Sequence, residues 1–138
     1  MVRVNIKAVV LGFLATIALD TLVSVVLLVV FGGDIEIKSE QQIKEAYRGA
    51  ISNAAFLWLS FILGALTTVV GAYLAARIAK RYPYFNGLAL GVVGVAWSLL
   101  LWSSDFPLWF NVPALVLVVP TALVGAWIFV RLSRRRAS

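Results

Sequence analysis

The sequence predicts an all-α membrane protein: a bundle of four transmembrane helices with both termini on the cytoplasmic side. Three observations predict it. Four apolar runs approach the roughly 20 residues that a bilayer crossing needs. Hydrophobic residues make up 62% of the 138, and charged residues only 13%, against about 25% in a soluble domain. The Lys and Arg residues gather at the ends of alternate runs. Mean hydropathy is +0.99, and a water-soluble chain this small has too little interior to hide so much apolar side chain.

The chain reads as a single transmembrane domain over 1–138. Its spans run from about 8 to 31, 51 to 78, 87 to 102 and 112 to 132, with an outer loop over 32–50. The first run follows Arg3 and Lys7, as a signal peptide would. It is too long for one, contains Asp20 and ends without a small-residue cleavage site. Every fourth position in it, Ala8, Gly12, Thr16, Asp20 and Ser24, is small or polar. That row is expected to face protein rather than lipid.

The loop after it carries a capping-box spacing, Ser39 followed by Gln42. Ile43, Ala46, Tyr47, Ala50 and Ile51 then fall at helical spacing, which predicts a short amphipathic helix from about 40 to 49. Gly49, Ser52 and Asn53 offer a bend before the second span.

The second span has two rows of small residues. One is Ser60, Gly64, Thr68, Ala72 and Ala76; the other is Thr67, Gly71, Ala75 and Ala79. The third span opens on Gly87 and Gly91, followed by Gly94 and Ser98. Helices in lipid associate by close backbone approach at such positions. The tightest contact is therefore expected between the second and third spans, with a homo-oligomer as the alternative use of the rows. The fourth span is expected to start at an Asn111 N-cap, with Pro113 in its first turn. Pro120 should kink it and free the Val116 carbonyl, with Thr121 or water as substitute partner.

The cations set the orientation. Arg3, Lys7, Arg77, Lys80, Arg81, Arg131, Arg134, Arg135 and Arg136 fall on one side; Lys38, Lys44 and Arg48 fall on the other, offset by five acids. The richer side belongs in the cytoplasm. Arg77, Lys80, Arg81, Arg131, Arg134, Arg135 and Arg136 are expected to meet lipid headgroups. The net charge of +6 thus points to a lipid bilayer and not to nucleic acid. Tyr82, Tyr84 and Phe85 inside, and Tyr47, Trp58, Trp102, Phe106, Trp109 and Phe110 outside, match interfacial aromatic belts.

The chain has no Cys and no His. Thiol chemistry and most zinc sites are excluded. With one carboxyl inside the spans, no acid–base pair assembles there. No enzyme activity, cofactor or metal is therefore expected.

Asp20 is the one acidic residue within the spans. An acid at mid-bilayer costs roughly 2.5–3.5 kcal/mol on insertion scales. No cation lies at its depth, so the neutral form is expected unless water reaches it. Thr16, Ser24, Thr67, Thr68, Ser98 and Thr121 are the hydroxyls in reach. Two uses follow: a hydrogen-bonding contact between helices or subunits, or a proton- or cation-binding group.

The stretch from Gly71 to Arg81, with Gly87 and Gly91, is similar to a hairpin in small uncharacterised bacterial membrane proteins. It covers about a quarter of the chain, implies a bacterial inner membrane and carries no function across. Four spans with an acid in the first also resemble the small multidrug resistance family, with Asp20 in the role of that acid. The sequence departs from that family in having Asp for Glu, a long first outer loop and a strong charge bias.

The leading expectation is a non-enzymatic assembly or accessory subunit, packing through small-residue faces with itself as a homo-oligomer or with other membrane protein subunits. The alternative is a small proton- or cation-coupled transporter or channel using Asp20.

Overall fold

A computed structural model describes residues 3–32 and 39–136 of the chain. Asp34, Glu36 and Lys38 lie outside the described residues. Five helices form: α1 (Ile6–Phe31), α2 (Glu40–Ile51), α3 (Ala54–Ala79), α4 (Pro83–Leu100) and α5 (Leu108–Arg136), with no strand among the described residues. Four of them, all but α2, are long and apolar enough to cross a membrane.

Local chemistry explains the boundaries. Asn5 caps α1, its side chain accepting from the Ala8 N–H at 3.1 Å. Ser39 caps α2 by accepting from the Gln42 N–H at 3.3 Å, the bond that the capping-box spacing predicts. The amphipathic helix runs two residues past Gly49. The break falls at Ser52 and Asn53, and Asn53 caps α3 through the Ala55 N–H at 2.9 Å.

Two span starts differ from expectation. The third helix begins at Pro83, four residues before Gly87, because a proline at the first helical position loses no hydrogen bond. The fourth begins at Leu108, so Asn111 sits inside α5 and caps nothing there. Its amide instead donates to the Ser103 carbonyl at 2.9 Å and the Phe106 carbonyl at 3.3 Å, closing the α4–α5 turn. Thr121 donates to Leu117 and Val118, not to the Val116 carbonyl that Pro120 frees.

Helix α3 is central. Its main partners are α1 on one side and α5 on the other, while α4 packs chiefly on α5. The expectation that α3 and α4 make the tightest pair is thus corrected. A Cβ on Gly87 would meet Ala126, one on Gly91 would meet Val119 and Ala122, and one on Gly94 would meet Val118, all on α5. The α3 rows turn to α1 and α5 instead. A Cβ on Gly12 would lie 2.6 Å from the Gly71 carbonyl oxygen, and one on Gly71 would lie 2.7 Å from the Gly12 carbonyl oxygen. Neither backbone approach tolerates a side chain.

The close-packed half of the bundle is the end where α1 begins and α5 finishes. Val9, Ala72, Ala75, Leu90 and Ala122 form its core. Asn86, fully buried, ties this end together. Its amide donates to the carbonyls of Arg81 and Tyr82 at 3.1 and 2.9 Å, and its oxygen accepts from the Asn5 N–H at 2.8 Å. The turn it braces contains two residues of positive φ, Lys80 and Tyr82. At the α2 end a second cluster, Leu27, Ala50, Ile51, Phe56 and Leu57, packs α2 against α1 and α3.

Candidate functional site

The helices are held together by small residues at one end and by large aromatic ones at the other. Bulky side chains hold backbones apart. A cavity of about 310 Å³ therefore opens inside the bundle toward α2. Asp20, Ser24, Ser60, Gly64, Thr68, Ser98 and Thr121 line it, with Tyr47, Phe56, Phe61, Phe106 and Phe110. Beside it lies a groove of about 530 Å³ between α1 and α4, sharing Asp20, Ser24, Ser98 and Phe106.

Asp20 stands where packed and open halves meet. Thr67 is buried on the α1-facing row of α3, and its hydroxyl donates to Asp20 Oδ1. The same oxygen lies 2.8 Å from the Gly64 carbonyl. Among the described residues no Lys or Arg lines either space.

Each hydroxyl singled out in the sequence has a distinct place. Thr16, one turn below Asp20, is buried; it donates to the Gly12 carbonyl at 3.0 Å and packs on Gly71. It belongs to the packed seam and not to the cavity. Thr68 and Thr121 line the cavity while donating to carbonyls of their own helices, Thr68 to Gly64 at 3.0 Å. Ser24, Ser60 and Ser98 line it and form no hydrogen bond within the described residues. Gly64 departs from its expected packing role: a Cβ there would meet nothing within 4 Å. It widens the cavity instead.

The aromatic residues of this end divide in two. Trp58 and Trp109 pack together at 5.4 Å between ring centroids, both substantially exposed as belt residues would be. Phe106 and Phe110 stack at 5.0 Å and form a cavity wall with Tyr47, which meets Phe106 at 6.1 Å and Phe56 at 6.3 Å. Burial pushes the Tyr47 phenol above its ordinary pKa, and the Asp105 carboxylate adds to the rise. At the opposite end Arg77, Lys80, Arg81, Arg131, Arg134 and Arg135 are all exposed. The Arg131 guanidinium lies 5.1 Å from the Trp127 ring centroid.

Sequence reasoning missed three contributors. Gly125 presses α5 against α3, where a Cβ would come within 2.9 Å of Ala72 Cβ; the spacing Thr121, Gly125 and the pair Ala122, Ala126 carried that signal. Asn86 stood out only as a polar residue beside an apolar run. Tyr47 joined the cavity because α2 folds back over it, which periodicity does not reveal.

Comparison with protein-family models, with curated proteins and with solved structures found no match to this chain.

Proposed function

We propose that this protein is a non-enzymatic, multi-pass carrier of a bacterial inner membrane, taking up a proton or monovalent cation at Asp20. The observation that carries this reading is the position of Asp20 on the wall of an internal cavity, with serine and threonine hydroxyls around it and, among the described residues, no Lys or Arg on that wall. An acid that served only as a clamp would be expected in the packed seam, where Thr16 is. The charge bias supports an orientation with both termini and the basic end in the cytoplasm. The cavity then lies in the outer half. Flux of protons and of monovalent cations into proteoliposomes tests the reading. Asp20→Asn, which keeps the shape and can still accept from Thr67, should reduce flux to background. Equal flux would remove Asp20 from the mechanism.

A second reading is an accessory subunit that packs with itself or within a larger membrane complex. One observation favours it: α1 and α4 meet least closely of the neighbours around the ring, leaving a groove between them that a further helix could enter. Against it, the small-residue rows that motivate the idea are largely occupied inside the chain, where Gly12, Gly71, Gly87, Gly91, Gly94 and Gly125 all have internal partners. Native mass spectrometry of the protein extracted with its lipids separates the two, since assembly requires a reproducible multimer or co-purified subunit.

A further inference from the structure

Three serine hydroxyls in the cavity, those of Ser24, Ser60 and Ser98, form no hydrogen bond within the described residues. They come from three different helices, α1, α3 and α4, and face one space. Hydrocarbon offers them no partner, and a hydroxyl without one is costly there. The groove adjoining them opens sideways. Its rims are Val25 on α1 and Leu101 just past α4, which are 54% and 62% exposed. Trp97 and Trp102 continue the α4 rim. A chamber with a cluster of hydroxyls among mostly apolar walls is therefore joined sideways to an apolar slot. That is the shape of an amphiphile, with the head inside and the chain in the slot.

The chemistry of the head follows from what lines the chamber. Among the described residues no Lys or Arg lines it to hold a phosphate or carboxylate. The single carboxyl already accepts from Thr67. The remaining groups are hydroxyls and the Asn111 side chain, which suit a neutral head rich in hydroxyls. A neutral head also enters without the desolvation cost of a charge.

We propose that the cavity and groove bind a neutral, glycerol-headed lipid, its hydroxyls on Ser24, Ser60 and Ser98 and its acyl chain between α1 and α4. This rests on reading the cavity as a ligand site, and it names the ligand class. Asp20 then handles the proton or cation while the lipid occupies the hydroxyl side of the chamber. The lipid arrives sideways from the bilayer rather than from water.

The test uses three single-chain lipids with the same monounsaturated chain length and different heads: monooleoylglycerol, oleylamine and oleic acid. Each is titrated into the delipidated full-length protein and read as bound mass by native mass spectrometry. Monooleoylglycerol is expected to bind several-fold tighter than either charged analogue. The chain has no cysteine, so Val25→Cys and Leu101→Cys can be joined selectively by a short bifunctional maleimide. Joining them before lipid addition should abolish monooleoylglycerol binding. The double variant left unjoined, and shown folded by its helical circular dichroism, is the reference: joining should remove whatever monooleoylglycerol binding it retains.

Equal binding of all three lipids would overturn the inference, leaving only unspecific apolar adhesion. Tighter binding of oleylamine would overturn it in favour of a cationic ligand at Asp20. Undiminished binding after cross-linking would overturn the sideways route. None of these readings depends on a gradient. Asp20-dependent flux with no lipid preference would sink this inference and leave the carrier standing; lipid preference with no flux would do the reverse.

Discussion

The Thr67 hydroxyl donates to the Asp20 carboxyl across the α1–α3 interface, one turn above the seam where Gly12 and Gly71 bring the two backbones together. The bond and the close approach are connected. A threonine reaches a short acid on the next helix only where small residues remove the bulk between them. Interhelical hydrogen bonds in membranes contribute about 0.6 kcal/mol on average and up to about 1.7. Thr67→Val should therefore lower stability by roughly 1 kcal/mol while leaving the fold intact. Unfolding of the variant in bicelles by steric trapping measures this directly. A loss of several kcal/mol would mean that Thr67 does more than meet Asp20.

Glycines at the seam should be far more sensitive than the glycine at the cavity. Gly12→Val and Gly125→Val place side chains against backbone and Cβ atoms that cannot withdraw. Each should cost about 1–3 kcal/mol through overpacking. Gly64→Ala adds a methyl where nothing lies within 4 Å and should change stability by less than about 0.5 kcal/mol. Thermal unfolding in detergent, read by helical circular dichroism, ranks the three.

Asn86 should matter as much as any core residue. Replacing it with Leu leaves the Arg81 carbonyl and the Asn5 N–H without their partner, and leaves the Tyr82 carbonyl only the backbone N–H of residue 86. An unsatisfied buried group costs about 1–3 kcal/mol. Asn86→Leu should lower the unfolding midpoint clearly, and amide exchange should increase in the Lys80–Tyr82 turn and at the start of α1.

Those two results bear on what can be read from a sequence. Span number, the α2 helix and its Ser39 cap were legible because they depend on local composition and spacing. The polar row on α1 and the need of Asp20 for a hydroxyl on another helix were legible because a carboxyl in hydrocarbon needs a donor at its own depth; which of Thr67, Thr68, Ser98 and Thr121 supplies it was not. Which helix each glycine row meets was not legible. Gly87 and Gly91 follow α3 by a short turn yet pack on α5, because the crossing of α4 is set by the Lys80–Tyr82 turn and by Asn86. The cavity was hidden too, since it arises from the contrast between small residues at one end and aromatic ones at the other.

Tyr47 supplies a pH signature for the α2 contact. Burial first, and the Asp105 carboxylate second, raise its phenol pKa above 10.0 in the folded chain. Below that value the phenol is neutral in folded and unfolded states alike. As pH rises through it the unfolded phenol ionises first, so the α2 contact weakens progressively until the folded pKa is passed. Ultraviolet titration of tyrosinate should show one late-titrating tyrosine that Tyr47→Phe removes. Asp105→Asn should shift it part of the way down.

Orientation is open to a direct check. Single cysteines in place of Gln41 and of Lys80 would sit on opposite ends of the bundle, both exposed. With the termini and the basic end in the cytoplasm, a membrane-impermeant maleimide added to intact cells labels Gln41→Cys and spares Lys80→Cys. The reverse pattern would invert the assignment.

The central claim is that Asp20 is a group that ligands and protons reach, and not a sealed clamp. Infrared difference spectroscopy of the reconstituted protein, comparing acidic with alkaline buffer, reads its carboxyl directly. The carrier account expects a carboxyl band that changes with pH in the native chain and is missing from Asp20→Asn. A native spectrum indistinguishable from that of Asp20→Asn would contradict it.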